Sequence, residues 1–344
     1  MAESFDALLF VSFGGPEGPD EVIPFLENVL RGKNVPRERM LEVAEHYQHF
    51  GGVSPINAQN RALIAAVEAE LSRRGSKLPV YFGNRNWRPM LADTLRQMRD
   101  DGVRNALGFF TSAFSSYSGC RQYRENIAVA HAEVGEGAPQ VHKLRAFYNH
   151  PGYIETMILQ TRAAIERLPA EARGDAALLF SAHSIPLSMA TNCDYEKQLH
   201  EACRLIANGV GAPSYRLVYQ SRSGPPTQPW LEPDVLDVLG EISAAGATKQ
   251  VVLVPVGFIS DHMEVLFDLD HEAKHRAEQL GLHLERAATA GTHPRFVEMI
   301  CELVAERLSG SPERPVVGNL PPQPDVCVVD CCKYEPRRPG PPAK

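Results

Sequence analysis

No run of 18 consecutive apolar residues occurs in this 344-residue chain, so no segment reads as a membrane-spanning helix. Positive charge is also scarce: 35 Lys and Arg stand against 42 Asp and Glu, a formal net charge of −7. That excludes a broad basic face for gripping nucleic acid but leaves room for a local cationic pocket. Nucleotide signatures are missing. There is no GxxxxGK(S/T) loop and no GxGxxG; Gly14-Gly15-Pro16-Glu17-Gly18 has the wrong spacing, and Pro16 lacks the N–H a phosphate would use. No GxSxG nucleophile elbow appears. The start, Met1-Ala2-Glu3-Ser4-Phe5-Asp6, has no basic n-region or cleavage site, and a cytoplasmic protein is expected. The seven cysteines should then be thiols or metal ligands, not a disulfide framework.

The composition, 44% hydrophobic and 22% charged, is that of an ordinary globular protein. The length suits two domains and a large core that needs no staples. Short apolar runs (Phe5–Phe13, Pro79–Gly83, Ala106–Thr111, Gln140–Arg145, Ala176–Ala182, Arg216–Gln220, Gln250–Gly257, His283–Arg286) read as strands. They alternate with amphipathic stretches near 20–32, 37–50, 57–74, 90–100, 121–134, 151–168, 194–209, 233–244, 262–280 and 292–309, which read as helices. Such alternation predicts parallel sheets with helices on both faces. The pattern restarts near residue 148, predicting domains at 1–148 and 149–310 with ligands beyond the carboxyl ends of the strands. Residues 311–344 hold 9 of the 27 prolines and no helical period. That tail should be extended or disordered unless its three cysteines tie it down.

Chemistry gathers at the predicted strand ends. His183 closes Ala176–Ala182 and precedes Ile185-Pro186, where it could be a base, a metal ligand or a loop-capping His. After Val251–Val256 come Glu264, Asp268 and Glu272, spaced i, i+4, i+8. On an α-helix this ridge drifts by about 40° per step, and a π-bulge would straighten it. It reads either as a solvated acidic face or as hard ligands passing a divalent cation along. His262, His271 and His275 on the same stretch are left unassigned. Trp230, in a Pro/Gly loop, could present its indole to a flat ligand or anchor the loop. Ser54 lies in the corner Tyr47–Pro55, with Arg31 before it and Arg85 after; separated basic and hydroxyl groups around an apolar cleft suit a flat body bearing carboxylates. Tyr123 reads as a pocket wall or a core aromatic.

Cys327, Cys331 and Cys332 form a compact group with no hydrophobic reason for it. Soft thiolates bind zinc or an iron–sulfur cluster, and Cys120, in a loop after a strand end, is a candidate fourth ligand. Unliganded tail thiols are the alternative.

Together these segments resemble the ferrochelatases, a family that inserts ferrous iron into porphyrins. The likeness runs from Leu8 to about Leu308 through SFGGPEGP (12–19), HYQHFGGVSPIN (46–57), YFGNRNW (81–87), SGCRQYREN (118–126), SAHSIP (181–186), YQSRSGPPTQPWLEPDV (219–235) and PVGFISDHMEVLFDLDHE (255–272). It implies an α/β fold of two similar Rossmann-like domains, each a four-stranded parallel sheet flanked by helices, as in class II chelatases. His183 matches the family's active-site His, and Glu264 the acid of its SDHxE motif. Asp268 and Glu272 match its acidic ridge. Trp230 matches the pocket Trp of PWLxP, and Tyr123 a substrate-pocket Tyr. Arg31 and Ser54 stand where some bacterial members bind propionates. Phe13 replaces a Tyr of many Gram-positive members that can contact the porphyrin metal, so the axial contact falls to His183 or water. His46 stands where some of those members have Arg. Segment 24–50 is charged and lacks the apolar lip of membrane-associated members, as in the soluble bacterial enzymes, many of which act on coproporphyrin III. A few members hold a 2Fe–2S cluster on one internal and three tail cysteines; Cys120, Cys327, Cys331 and Cys332 match that layout, with Cys193 the rival internal ligand.

The resemblance thus implies a lyase of haem biosynthesis: a ferrochelatase that favours coproporphyrin III, then protoporphyrin IX. Ferrous iron is its substrate, reached through His183, Glu264, Asp268 and Glu272. It implies a 2Fe–2S cofactor and other haem-pathway enzymes as partners. The rivals are a cobalt or nickel chelatase for another tetrapyrrole and a non-catalytic haem or iron carrier. Oligomeric state stays open.

Overall fold

The segment Ala-Leu-Leu-Phe-Val-Ser, Ala7–Ser12 (β1), is buried at all six positions, which requires a sheet covered on both faces. In the computed structural model, which describes residues 4–33, 35–224 and 227–334, β1 is an inner strand of a parallel sheet ordered β2-β1-β3-β4. Its partners are β2 Val80–Asn84, β3 Asn105–Phe110 and β4 Gln140–Lys143. A second parallel sheet repeats the order as β6-β5-β7-β8, with β5 Ala177–His183, β6 Arg216–Gln220, β7 Gln250–Val254 and β8 His283–Arg286. In each sheet the chain starts on an inner strand, steps to one edge, and then crosses to the other side. A topological switch point therefore lies beyond β1 and β3 and another beyond β5 and β7, where open α/β sheets bind ligands.

This is the expected fold class. Helices cover both sheets, and the last one, Pro294–Ser309, packs on Ile56–Arg73 of the first half as well as on Pro151–Arg167. One apolar core therefore runs from Leu8 through Phe147 and Tyr153 to Ile300 and Val304. At the same seam the buried Arg145 makes a bidentate pair with Glu306, both bonds 2.9 Å long. Breaking such a pair by removing one partner typically costs about 3–5 kcal/mol.

Four expectations need correction. The stretch 262–280 is not one α-helix: a turn at Met263–Val265 leads into a π-helix, Leu266–Ala273, before Lys274–Gln279. Cys120 is not in an irregular loop; it lies in a π-turn, Tyr117–Arg121, capped by Ser116 Oγ accepting the Gly119 N–H. Two short helical segments, Ala170–Asp175 and Leu187–Ala190, fall where no periodicity could show them. The tail has no regular structure over its described part, but protein hydrogen bonds hold its stretch 315–320 independently of the cysteines. Val317 N–H donates to Asn149 O, Asn149 Nδ2 to Leu320 O, Arg145 Nη2 to Pro315 O, and Asn319 N–H to Glu201 Oε1. Pro225 and Pro226 of the Gly/Pro loop, and tail residues 335–344, lie outside the described residues.

Candidate active site

β5 ends on His183, so its imidazole emerges at the second switch point. Its Nδ1 contacts the Ser184 carbonyl oxygen. A carbonyl only accepts, so Nδ1 carries a proton and Nε2 is the nitrogen turned toward Glu264. Glu264 arrives from the other side. After β7 the chain passes so close to β5 that a Cβ on Gly257 would lie 2.8 Å from Ala182 Cα. Glycine permits that approach, and 258–264 come to lie beside His183. Glu264 Oε2 stands 3.6 Å from His183 Nε2. His262 opens the Met263–Val265 turn by accepting the Val265 N–H on Nδ1 and places Nε2 3.4 Å from the same carboxylate oxygen. Desolvation pushes Glu264 upward, but the charge of His183 and the hydrogen bond from His262 outweigh it and hold the carboxyl down at about 2. Tyr47, buried on the helix Arg37–His49, has its phenol raised by burial and then by Glu264.

The π-helix then carries Asp268 and Glu272 away from this pair, its wider turn bringing residues four apart near one line. Asp268 accepts from Gln220 Nε2 (3.2 Å) and from Ser221 Oγ. Ser221 reaches it from left-handed backbone, φ 61°, an uncommon conformation for a non-glycine residue. Burial pushes Asp268 up to about 6; Glu264 and Glu272 add to this, against the bonds from Ser221 and Gln220. Glu272 is raised by desolvation, with His271 opposing and Asp234 adding. Asp234 caps the helix Val235–Ala245, accepting the Leu236 N–H at 2.8 Å.

The opposite wall comes from the first half. Arg85, just past β2, lies 4.3 Å from the Tyr123 ring centre and 5.7 Å from that of Phe13, and donates Nε to Asn126 Oδ1 at 2.7 Å. Desolvation lowers this guanidinium, and no carboxylate among the described residues pairs with it. Lys33 is lowered too, by desolvation and then by Arg85. Phe13 is half-buried past β1, its ring 6.3 Å from Phe25. Tyr123 is only 5% exposed, with Phe110 on one side and Arg85 nearby, so it sits in the core and not as a free pocket wall. Ser54, 3% exposed, lies under Gly15, whose Cβ would fall 2.7 Å from Ser54 Cβ, so it seats that loop and presents almost no surface. Arg31 is exposed beyond the helix Val22–Val29. Trp230 bridges to Pro186, and its neighbour Leu231 takes bonds from Ser184 Oγ to its carbonyl and gives its N–H to Ile185. The Trp230 loop thus fixes the turn after His183 while its half-buried indole has an Nε1 with no partner among the described residues. His46 stacks on Phe267 of the π-helix, ring centres 3.6 Å apart.

The sequence reading did not reach Gln220, Ser221, Asp234 or the part played by His262. Asp234 and His262 carry a local signal, a side-chain acceptor directly before a helical segment.

A separate thiol group forms where the tail meets the π-turn. Cys120 and Cys332 are buried, Cys331 Sγ lies 3.4 Å from Cys332 Sγ, and the Cys120 thiol is raised, Cys327 lowering it while Cys332 and burial raise it. Cys327 is raised by its bond to Cys120 and then by burial. Arg121 holds this turn of tail through the carbonyls of Val329 (2.8 Å) and Cys331 (2.9 Å). Cys193 points its thiol at Met189 and Ala190 carbonyls instead. All seven cysteines are free thiols, and among the described residues no three His, Cys, Asp or Glu groups surround a common metal position. No helix among the described residues is long and apolar enough to cross a membrane.

A family model described as Ferrochelatase matches residues 5–308. A protein of Rhodopirellula baltica named ferrochelatase is 62% identical over 335 residues, covering 97% of this chain and 95% of its own. One of Mycolicibacterium smegmatis named coproporphyrin III ferrochelatase is 52% identical over 321 residues, covering 92% and 94%. Among solved structures, the sirohydrochlorin chelatase SirB of Bacillus subtilis subspecies spizizenii, in complex with cobalt, aligns at TM-score 0.52 and 12% identity, over 89% of this chain and 97% of that one. That likeness concerns the fold alone.

Proposed function

This chain belongs to the ferrochelatase family and inserts ferrous iron into a porphyrin; we propose that the porphyrin is coproporphyrin III, in a cytoplasmic lyase reaction of haem biosynthesis. The cleft lies between halves that we take as 1–148 and 149–310. The observation that carries the site assignment is the placing of His183 Nε2 3.6 Å from Glu264 Oε2, with Nδ1 fixed on the Ser184 carbonyl.

Iron entry forms four metal–nitrogen bonds and requires the two pyrrole N–H protons to leave. His183 Nε2 accepts a proton, and Glu264, which stays anionic, stabilises the imidazolium. Asp268, near 6, changes charge close to neutral pH, so the ridge Glu264–Asp268–Glu272 suits both the exit of protons and the entry of a divalent ion. Phe13 cannot ligate iron and instead lines the cleft. Trp230 offers a ring face and fixes the His183 turn. Binding energy at the substituents bends the porphyrin, at a strain of roughly 1–5 kcal/mol, so that its nitrogen lone pairs face the metal.

Arg85, Lys33 and Arg31 supply cations for the substrate's carboxylates. Each charge-assisted contact contributes roughly 1.5–3 kcal/mol, so four propionates outbid two. Tyr123 supports Arg85, and Ser54 seats the Gly15 loop. Steady-state turnover on coproporphyrin III and protoporphyrin IX tests this reading; equal or reversed preference refutes the substrate assignment.

We assign the thiol quartet Cys120, Cys327, Cys331 and Cys332 to a 2Fe–2S cluster. The fit rests on four free thiols at one seam: Cys331 Sγ lies 3.4 Å from Cys332 Sγ, Cys332 and Cys120 are buried, and Cys327 is raised by its bond to Cys120. The bound group supplies one-electron chemistry and a staple for the tail. Zinc is the rival for four thiolates, and iron and sulfide analysis separates the two.

A further inference from the structure

We infer that His49 and His271 form a holding point for a divalent metal at the outer end of the acidic ridge, where iron is first taken from solvent. The inference rests on the iron-insertion reading of the inner site. His49 ends the helix Arg37–His49 in the first half of the chain, and His271 belongs to the π-helix of the second. Both are exposed, and their ring centres lie 4.5 Å apart with planes at 51°. Two imidazoles bound cis to one ion through bonds of about 2.0–2.1 Å hold their ring centres roughly 4.5–5 Å apart. The next residue after His271 is Glu272, the outermost acid of the ridge.

Ring packing seats each member, His49 at 4.9 Å from Phe50 and His271 at 5.4 Å from Phe267, but it does not account for two imidazoles meeting in the open. Three residues earlier on the same helix, His46 lies flat on Phe267, and that near-parallel stack at 3.6 Å already closes the helix onto the π-helix. His49 and His271 are tilted and open to water, so their contact buries little apolar area. Chemistry does account for it. Carboxylates alone suit magnesium and calcium as well as iron, whereas imidazole nitrogen favours transition metals. A pair of imidazoles ahead of the carboxylates therefore biases what enters the file. Two imidazoles leave the other coordination positions to water, so the ion is held weakly, as a relay requires.

The porphyrin-free full chain is titrated with Co²⁺, followed by visible absorption and equilibrium dialysis. Wild type should hold one Co²⁺ more than either His49→Phe or His271→Phe, in which the new ring keeps the contact. In turnover with Fe²⁺, either substitution should raise the iron KM by about threefold or more, with a smaller change in kcat and none in the porphyrin KM. Equal Co²⁺ stoichiometry in wild type and both variants overturns the inference. So does a drop in melting temperature in both variants with stoichiometry intact, which marks the pair as packing. A wild type that loses one Co²⁺ on either substitution yet never metallates a porphyrin supports the site and refutes the function it was read from.

Discussion

His183 Nε2 and Glu264 Oε2 stand 3.6 Å apart, too far for a hydrogen bond, while the other imidazole nitrogen is fixed on the Ser184 carbonyl. The pair is set to become an ion pair when a proton arrives. His183→Ala should therefore lower kcat by about 10²-fold or more while porphyrin binding stays measurable. Glu264→Gln should act similarly, because it removes the charge that stabilises the imidazolium. Fluorescence titration with porphyrin alongside an iron-insertion assay checks both; near wild-type turnover in either variant sinks the assignment.

Asp268 and Glu272 are assigned to metal delivery. The double change Asp268→Asn with Glu272→Gln should raise the apparent iron KM well above any change in the porphyrin KM. An unaltered iron KM would return both to a solvated helix face.

Asp268 also gives a stability signature. Its folded pKa, about 6, lies above the unfolded carboxylate value of about 3.9, so the folded state binds the proton more tightly. The stabilisation this confers is fully present below the unfolded value and is lost as pH rises through 6. Asp268→Asn keeps the neutral form at every pH. Its melting temperature relative to wild type should therefore climb between pH 4 and pH 7.5 in metal-free protein. A difference that does not change with pH contradicts the buried, partly repelled carboxyl described above.

Arg85 lacks a carboxylate partner among the described residues and lies between Phe13 and Tyr123. Arg85→Met should weaken coproporphyrin III binding by about ten- to hundredfold if the guanidinium holds a propionate. The iron KM should not follow. Unchanged porphyrin affinity would make Arg85 a support for the Tyr123 ring only.

Purified protein should be brown, with iron and sulfide in equal amounts. Cys120→Ser should bleach it and Cys193→Ser should not, because the Cys193 thiol is engaged with the Met189 and Ala190 carbonyls. The reverse result moves the internal ligand to Cys193.

The sheets were legible because their strands are buried on both faces: Val251–Val254 is apolar at every position, and the structure buries all four. The π-helix was legible only as a conditional, since acids at i, i+4, i+8 make a straight file only if the turn widens. Gln220 and Ser221 could not be found, because their role depends on β6 ending opposite the π-helix, a relation between segments more than 40 residues apart. Ser54 and Tyr123 show the opposite failure. Both sit in conspicuous motifs, yet burial gives them supporting places that residue type cannot reveal. The polar ties of the tail were hidden in the same way, since Asn149 and Glu201 have no local mark of a long-range partner.

The widened turn at Leu266–Ala273 makes reading frame along the helix a functional quantity in its own right. An α-helix advances 3.6 residues per turn and is the default for such a sequence. Excising one residue between Glu264 and Asp268 would let the segment relax toward that default with every carboxylate still present. Asp268, now three residues after Glu264, would be turned about 60° out of line with it and swung away from Ser221 and Gln220. A chain altered in this way would look intact by composition and by charge, and its conduit would be broken by phase alone.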